Sequence, residues 1–267
     1  MDIFTLHRGS APLLVSLPHD GTAVPPEIAA RLTPRARQVP DTDWHIARLY
    51  AFATGLGASM LVPSHSRYVV DLNRSEDDVS LYPGQNTTGL CPIVRFSGDP
   101  VYLPGQEPSA DEVRSRTERY WRPYHDALHA ELDRIRAAHG RAVLWEAHSI
   151  RGTLPFLFEG RLPDLNLGSA GGASCSPGLQ KRLEAVLAAQ ARYDWVHNGR
   201  FKGGHITRHY GDPGGGIDAV QLEISQRVYM DEETFAYDQA KAAGLQPLLR
   251  ALLEAAIAGP DARRPAA

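Results

Sequence analysis

The chain has 267 residues, 43% of them hydrophobic, enough to build one sizeable core without a second domain. A formal charge of −3, with acidic and basic residues mixed along the chain, lacks the basic excess that nucleic-acid or anionic-membrane partners favour, so a small-molecule partner is expected. No basic-then-apolar leader opens the sequence and no apolar run nears the length of a membrane span, which predicts a cytoplasmic protein.

In chain order, short apolar runs at 12–17, 58–62, 68–72, 142–145, 195–197 and 219–224 predict strands, several of them bounded by Gly, Pro or Asn. Helical patterns lie between them. One covers 43–54, with Asp41 or Thr42 as its N-cap. The longest covers 109–139: Ser109 and Glu112 form a capping box, and Val113, Thr117, Tyr120, Trp121, Tyr124, Leu128, Leu132 and Ile135 recur at three- and four-residue steps. Pro123 is expected to bend or split it. Ser176-Pro177 supplies an N-cap and first helical residue for a helix to about 191, and a last helix covers 232–257. Residues 1–258 read as one α/β domain and 259–267 as a disordered tail. Strands separated by helices predict a layered α/β sheet whose ligands collect at the carboxyl ends of the strands. Two Gly- and Pro-containing loops, 73–108 and 200–216, are long enough to be read as functional.

Cys91 and Cys175 are too few for a disulfide framework or a cysteine-rich metal site, so they are expected as free thiols and any metal must rely on histidine and carboxylate. Four segments offer such groups. His19 follows the first predicted strand in Pro18-His19-Asp20-Gly21. Asp41 and Asp43 open a predicted helix, whose positive end keeps a carboxylate ionised. Glu146 and His148 sit at a strand end, on the same side by strand alternation. Glu223 lies within an apolar strand, where an unpartnered carboxylate has no comfortable structural explanation. Two histidines and a carboxylate leave the fourth tetrahedral position of a zinc ion open for water, and a spare glutamate beside it serves as general base. No short metal motif of the His-Glu-x-x-His kind is present.

Arg67 and Arg74 flank the run Tyr68-Val69-Val70-Asp71-Leu72-Asn73, and two guanidinium forks beside one site suit a dianionic ligand. The segment from Asn198 to Gly211 brings glycines, which let backbone approach a ligand, together with His205, Thr207, Arg208 and other donors. Other chemistries lack their signatures. Gly55-Leu56-Gly57 is without the third glycine of a dinucleotide fingerprint, and neither a Gly-x-Ser-x-Gly elbow nor a phosphate loop occurs.

The segments around His19, Asp41 to His45, Asp71 to Arg74, Glu146 to Ile150, Asn198 to Tyr210 and Gln221 to Glu223 resemble, in order and over about residues 9–232, the N-formylglutamate amidohydrolases. The resemblance implies a bacterial enzyme ending one route of histidine degradation by releasing formate and L-glutamate. It further implies a three-layer α/β sandwich with a central mixed, mostly parallel sheet, similar to zinc carboxypeptidases and zinc-dependent amidases. The ligands implied for Zn2+ are His19, Asp43 and His148, with Asp41 or Glu146 as alternative carboxylate, and the implied base is Glu223. Arg67, Asn73, Arg74, His205, Thr207 and Arg208 become the substrate clamp. Competing readings are the same zinc chemistry on another N-acyl amino acid, and a noncatalytic anion-binding protein.

Overall fold

A computed structural model describes residues 2–79, 84 and 86–259. Among these, seven strands, β1 (Phe4–His7), β2 (Leu13–Ser16), β3 (Ser59–Pro63), β4 (Ala142–Ile150), β5 (Leu165–Gly168), β6 (Trp195–His197) and β7 (Ile217–Ser225), form one sheet. Its order is β1-β3-β2-β4-β7-β5-β6. The pairs β2–β3, β2–β4, β4–β7 and β5–β6 are parallel, while β1–β3 and β5–β7 are antiparallel. The expected mixed, mostly parallel sheet is present.

Alternation along the central strands splits the core into two faces. Leu13, Val15, Val143, Trp145, Val220 and Leu222 pack with Ile46 and Leu49 of α2 (Ile46–Leu49, after α1 at Pro26–Ala29). The same face takes Leu179, Leu183 and Leu187 of a helix at Pro177–Ala188, and Leu245, Leu249 and Leu252 of one at Gln239–Ile257. Leu14, Leu144, Ile217 and Ala219 face the other way, onto Tyr124, Leu128, Leu132 and Ile135 of a helix at Arg122–His139. In chain order the remaining helices are numbered α3 (Ala110–Arg116), α4 (Arg122–His139), α5 (Pro177–Ala188), α6 (His205–Tyr210) and α7 (Gln239–Ile257). Helix, sheet and helix make the three layers, and no helix among the described residues is long and apolar enough to cross a membrane.

Several boundaries differ from the sequence expectation, each for a local reason. The run 68–72 is a turn rather than a strand. Its Val69 N–H donates back to Ser66, and side chains of the neighbouring helix take its carbonyls: Arg116 that of Val69 (3.1 Å), His125 that of Leu72 (2.9 Å). β4 runs on to Ile150, so Glu146 and His148 lie inside a strand rather than at its end. The helix expected at 43–54 starts only at Ile46, because His45 adopts φ 64°; neither Asp41 nor Thr42 caps it, and the Asp20 carboxylate accepts from Ala47 N–H instead (2.8 Å). α7 begins at Gln239, where Asp238 accepts from Ala240 and Lys241, because Glu232 is engaged by Gly152 and Arg227 N–H groups. The loop expected at 200–216 contains α6. β1 and β5 were not anticipated: the first is half-exposed, and the second is four residues long. Ser109 and Ser176 cap as expected, accepting from Glu112 and Leu179. Between α3 and α4 the chain forms a π-helix, Thr117–Trp121, which absorbs the break at Pro123. Cys91 and Cys175 are buried free thiols. The tail expected at 259–267 lies, beyond Gly259, outside the described residues.

Candidate active site

Three adjacent parallel strands deliver the central groups. The chain leaves β2 through Leu17-Pro18 into His19. β4 directs Glu146 and His148 to the α4–α6 side, and β7 sets Gln221 and Glu223 opposite them in register. Asp43 arrives from the turn before α2, where its N–H donates to the His19 carbonyl at 3.1 Å and fixes the two loops together.

Nδ1 of His148 lies 3.0 Å, and Nδ1 of His19 3.6 Å, from the same oxygen, Asp43 Oδ2. One ligand atom from each of the three lies within 4.8 Å of the others, and all three residues are buried. The opposite ring nitrogens are occupied: His19 Nε2 meets Asp71 Oδ1 at 2.7 Å, and His148 Nε2 meets Glu146 Oε1 at 2.8 Å. A carboxylate at Nε2 keeps the ring proton there and leaves the Nδ1 lone pair aimed at Asp43. Two imidazole nitrogens and a carboxylate oxygen converging in a buried setting are the donors of a divalent cation such as zinc, so the residues fit a metal.

Where no cation competes, the same charges act on protons. Burial alone would lower His148, but Glu146 and Asp43 outweigh it and hold its imidazolium well above the ordinary histidine range. Burial would raise Asp43, yet His19 and His148 hold its carboxyl below the usual carboxylate range. A cation held by His19, Asp43 and His148 would take the place of a proton on His148. Glu223 is 8% exposed, and burial, reinforced by Asp43 and Glu146, pushes its carboxyl up to about 8. His148 and Arg67 already oppose that rise, and a cation bound beside it would lower the value further.

These groups open on a cavity of about 100 Å³, which suits a single small ligand. His19, Asp43, His148 and Glu223 line it; so do Arg67, Asn73, Arg74 and Arg200. Arg67 is largely committed, with Nη2 on Asp71 Oδ2 at 2.6 Å and Nη1 3.9 Å from Asp43. Arg74 differs. Its donors hold neutral oxygens, the Thr88 carbonyl at 2.7 Å, the Asn73 carbonyl at 3.3 Å and the Thr88 hydroxyl at 3.4 Å, and Asp71 feels its charge without a direct ion pair. Ile206 N–H donates to Asn73 Oδ1 at 2.9 Å and so turns the Asn73 amide nitrogen toward His148.

Other sequence candidates sit elsewhere. Asp41 accepts from the Tyr68 hydroxyl (2.7 Å) and Phe96 N–H (2.9 Å), outside the His19, Asp43 and His148 group. Glu146 stands behind His148. His205, Thr207 and Arg208, expected in the substrate clamp, are not on the cavity wall. Thr207 donates to Glu146, His205 stacks against His209, and Arg208 Nε donates to the Gly203 carbonyl. Three contributors had not been singled out. Asp71 orients His19, Arg200 lines the cavity, and Gln221 accepts from Gly204 N–H at 2.9 Å. For Arg200 the available signal was its place in the glycine-rich segment, and for Asp71 its i,i+4 spacing from Arg67.

A second polar chain lies toward the β5–β6 edge. Ser169 Oγ is 2.8 Å from His197 Nε2, and His197 Nδ1 is 2.6 Å from Glu184 Oε1. Ser169 is fully buried, its hydroxyl also accepts from Asn198 Nδ2 (3.0 Å), and the Ser169 and Gly171 N–H groups both donate to Asn198 Oδ1. These bonds hold Asn198 at φ 54°, turning the chain toward Arg200, Phe201 and Gly204 on the cavity wall.

Fold and site together define a three-layer α/β protein with a buried His-Asp-His group suited to a metal, assembled from the loop after β2, the turn before α2 and the carboxyl-terminal half of β4. The chain belongs to the N-formylglutamate amidohydrolase family, whose sequence model matches residues 11–230. It is 51% identical over 257 residues to the N-formylglutamate deformylase of Pseudomonas putida, covering 96% of each chain. It is 52% identical over 258 residues to that of Pseudomonas aeruginosa, covering 96% of this chain and 97% of the relative. The crystal structure of N-formylglutamate amidohydrolase from Ralstonia eutropha superposes with a TM-score of 0.82 at 27% identity, covering 96% of this chain and 98% of that one. A gene product of Agrobacterium tumefaciens, 19% identical, shares the fold with a TM-score of 0.70, covering 96% of each chain.

Proposed function

We propose that this chain is an N-formylglutamate deformylase that uses zinc at His19, Asp43 and His148 to hydrolyse N-formyl-L-glutamate to formate and L-glutamate. The observation that carries this reading is one small cavity shared by the His-Asp-His group, the buried carboxyl of Glu223 and the guanidinium of Arg74. The half-identical relatives, each named N-formylglutamate deformylase, supply the substrate. A divalent cation, when bound, acidifies water and polarises an amide carbonyl.

The chain's own residues supply the rest. Arg74, with Asn73 beside it, binds a substrate carboxylate, and Arg67 adds positive charge on the same wall. Glu223 accepts a proton as water adds to the formyl carbon; the C–N bond then breaks, and that proton goes to the departing amine. Asp71 and Glu146 keep the two imidazoles oriented throughout. The test is metal content and turnover on one preparation, comparing N-formylglutamate with N-acetylglutamate and N-formylaspartate. About one zinc per chain and preference for N-formylglutamate are expected. Metal-free protein with full activity, or a clear preference for the acetyl compound, would overturn the reading.

A further inference from the structure

Thr207 combines three properties that a substrate contact would not have. It is fully buried, it is absent from the cavity wall, and its hydroxyl donates to Glu146 Oε2 at 2.5 Å. Glu146 is itself fully buried and spends its other oxygen on His148 Nε2. Each oxygen of this buried side chain therefore has one short hydrogen-bond partner, and losing either would leave a buried polar atom unsatisfied. We infer that Thr207 is a positioning residue: through Glu146 it fixes the orientation and ring-proton position of His148, and so the affinity of the His19, Asp43 and His148 group for its metal.

The backbone around Thr207 supports this role. The segment Gly203-Gly204-His205-Ile206-Thr207 is anchored at three points, two on strands and one on the turn after residue 72: Gly204 N–H on Gln221 Oε1 of β7, Thr207 Oγ1 on Glu146 Oε2 of β4, and Ile206 N–H on Asn73 Oδ1. Gly204 has no room for a side chain, since a Cβ would come within 2.3 Å of Asn73 Nδ2. The segment is thus pressed directly against Asn73 and Glu146, two residues that contact His148. Asp71 braces His19 from a different loop, with Arg67 of its own loop on its second oxygen; Glu146 has Thr207 in the corresponding place. The two imidazoles are braced alike, one by a salt bridge and one by a hydroxyl.

The inference rests on the metal reading above, and its test separates the two. Zinc dissociation constants are measured by competition with a chromophoric chelator, without substrate, for the parent, Thr207→Val and Thr207→Ser, together with the melting temperature of each chelator-stripped protein. Thr207→Val is expected to weaken zinc binding roughly 10- to 100-fold, the usual range for losing a partner of a ligating group, and Thr207→Ser, which keeps the hydroxyl, to restore most of it. With zinc saturating, KM for N-formylglutamate should stay at the parental value in both variants. A zinc affinity unchanged in Thr207→Val overturns the inference, whether or not that variant melts lower. So does a raised KM at saturating zinc, which would make Thr207 a substrate contact. A parent chain that takes up no zinc overturns the metal reading and this inference with it.

Discussion

Two histidine–carboxylate arrangements are built on one sheet, and their difference shows what turns buried polar groups into a reactive site. At the centre, the Nδ1 atoms of His19 and His148 converge on one oxygen of Asp43 and open on a cavity. Toward the β5–β6 edge, Ser169, His197 and Glu184 line up within 2.8 Å and 2.6 Å contacts that imitate a nucleophile, base and orienting acid. Ser169 is nevertheless fully buried, and Asn198 satisfies the adjacent N–H groups that an oxyanion would need. Short imidazole–carboxylate contacts occur in both places, at 2.7 and 2.8 Å behind the central histidines and 2.6 Å at the edge. Of the two, only the centre converges on a point that a ligand can reach.

The contrast is broken most severely at the centre. His19→Ala or His148→Ala should abolish metal binding and turnover while most of the fold remains, and full zinc content in both variants would exclude them as ligands. The charge state of His148 adds a pH signature. The raised value of His148 means that its charged form stabilises the zinc-stripped fold fully below the ordinary histidine value of 6.5, and that this contribution is lost as pH rises through the raised value. Zinc needs the neutral ring, so its affinity should climb with pH over that window, with about one proton released per ion bound by calorimetry in buffers of different ionisation enthalpy.

Glu223→Gln sharpens the comparison next. It keeps size and shape but cannot accept a proton, so kcat should drop by about 10²- to 10⁴-fold with zinc content intact. Zinc lost in parallel would instead make Glu223 a ligand, and a near-parental rate would remove it from the chemistry. Arg74→Met should cost about 1.5–3 kcal/mol, or roughly 10- to 150-fold in kcat/KM, and should erase the preference for N-formylglutamate over N-formylglutamine. The smallest effect is expected toward the edge. Ser169→Ala should leave kcat unchanged and lower stability by about 1 kcal/mol, seen as a shift in the denaturation midpoint. A hundredfold loss of rate there would mean that the arrangement is more than structural.

The sequence made the centre legible because its groups hang on features with local signatures. His19 follows an apolar strand, Glu146 and His148 alternate along another, and Glu223 interrupts a third; strand period put Glu146 and His148 on one side, and the family resemblance supplied the grouping with His19, Asp43 and Glu223. What escaped was set by distant partners. Asp41 and Asp43 are equivalent on paper, but the hydroxyl of Tyr68 and the N–H of Phe96 draw Asp41 aside. Thr207 reads as a ligand donor until Glu146 is seen to claim it. The run 68–72 has strand composition, and only the side chains of a helix more than 40 residues later show why its carbonyls join no sheet.

That helix has one further consequence, through its π-turn at Thr117–Trp121. Arg116 before the turn, Trp121 at its end and His125 beyond it hold the carbonyls of Val69, Arg74 and Leu72 respectively. Successive residues of an α-helix are rotated by about 100°, so deleting one residue from the turn would restore regular hydrogen bonding while swinging Arg116 round the axis, away from its oxygen. A shortened chain would own a better helix and lose its grip on the segment that carries Asp71, Asn73 and Arg74. The irregularity is a phase adjustment between two halves of one rod. A designer who straightened it for stability would detune the cavity some distance away.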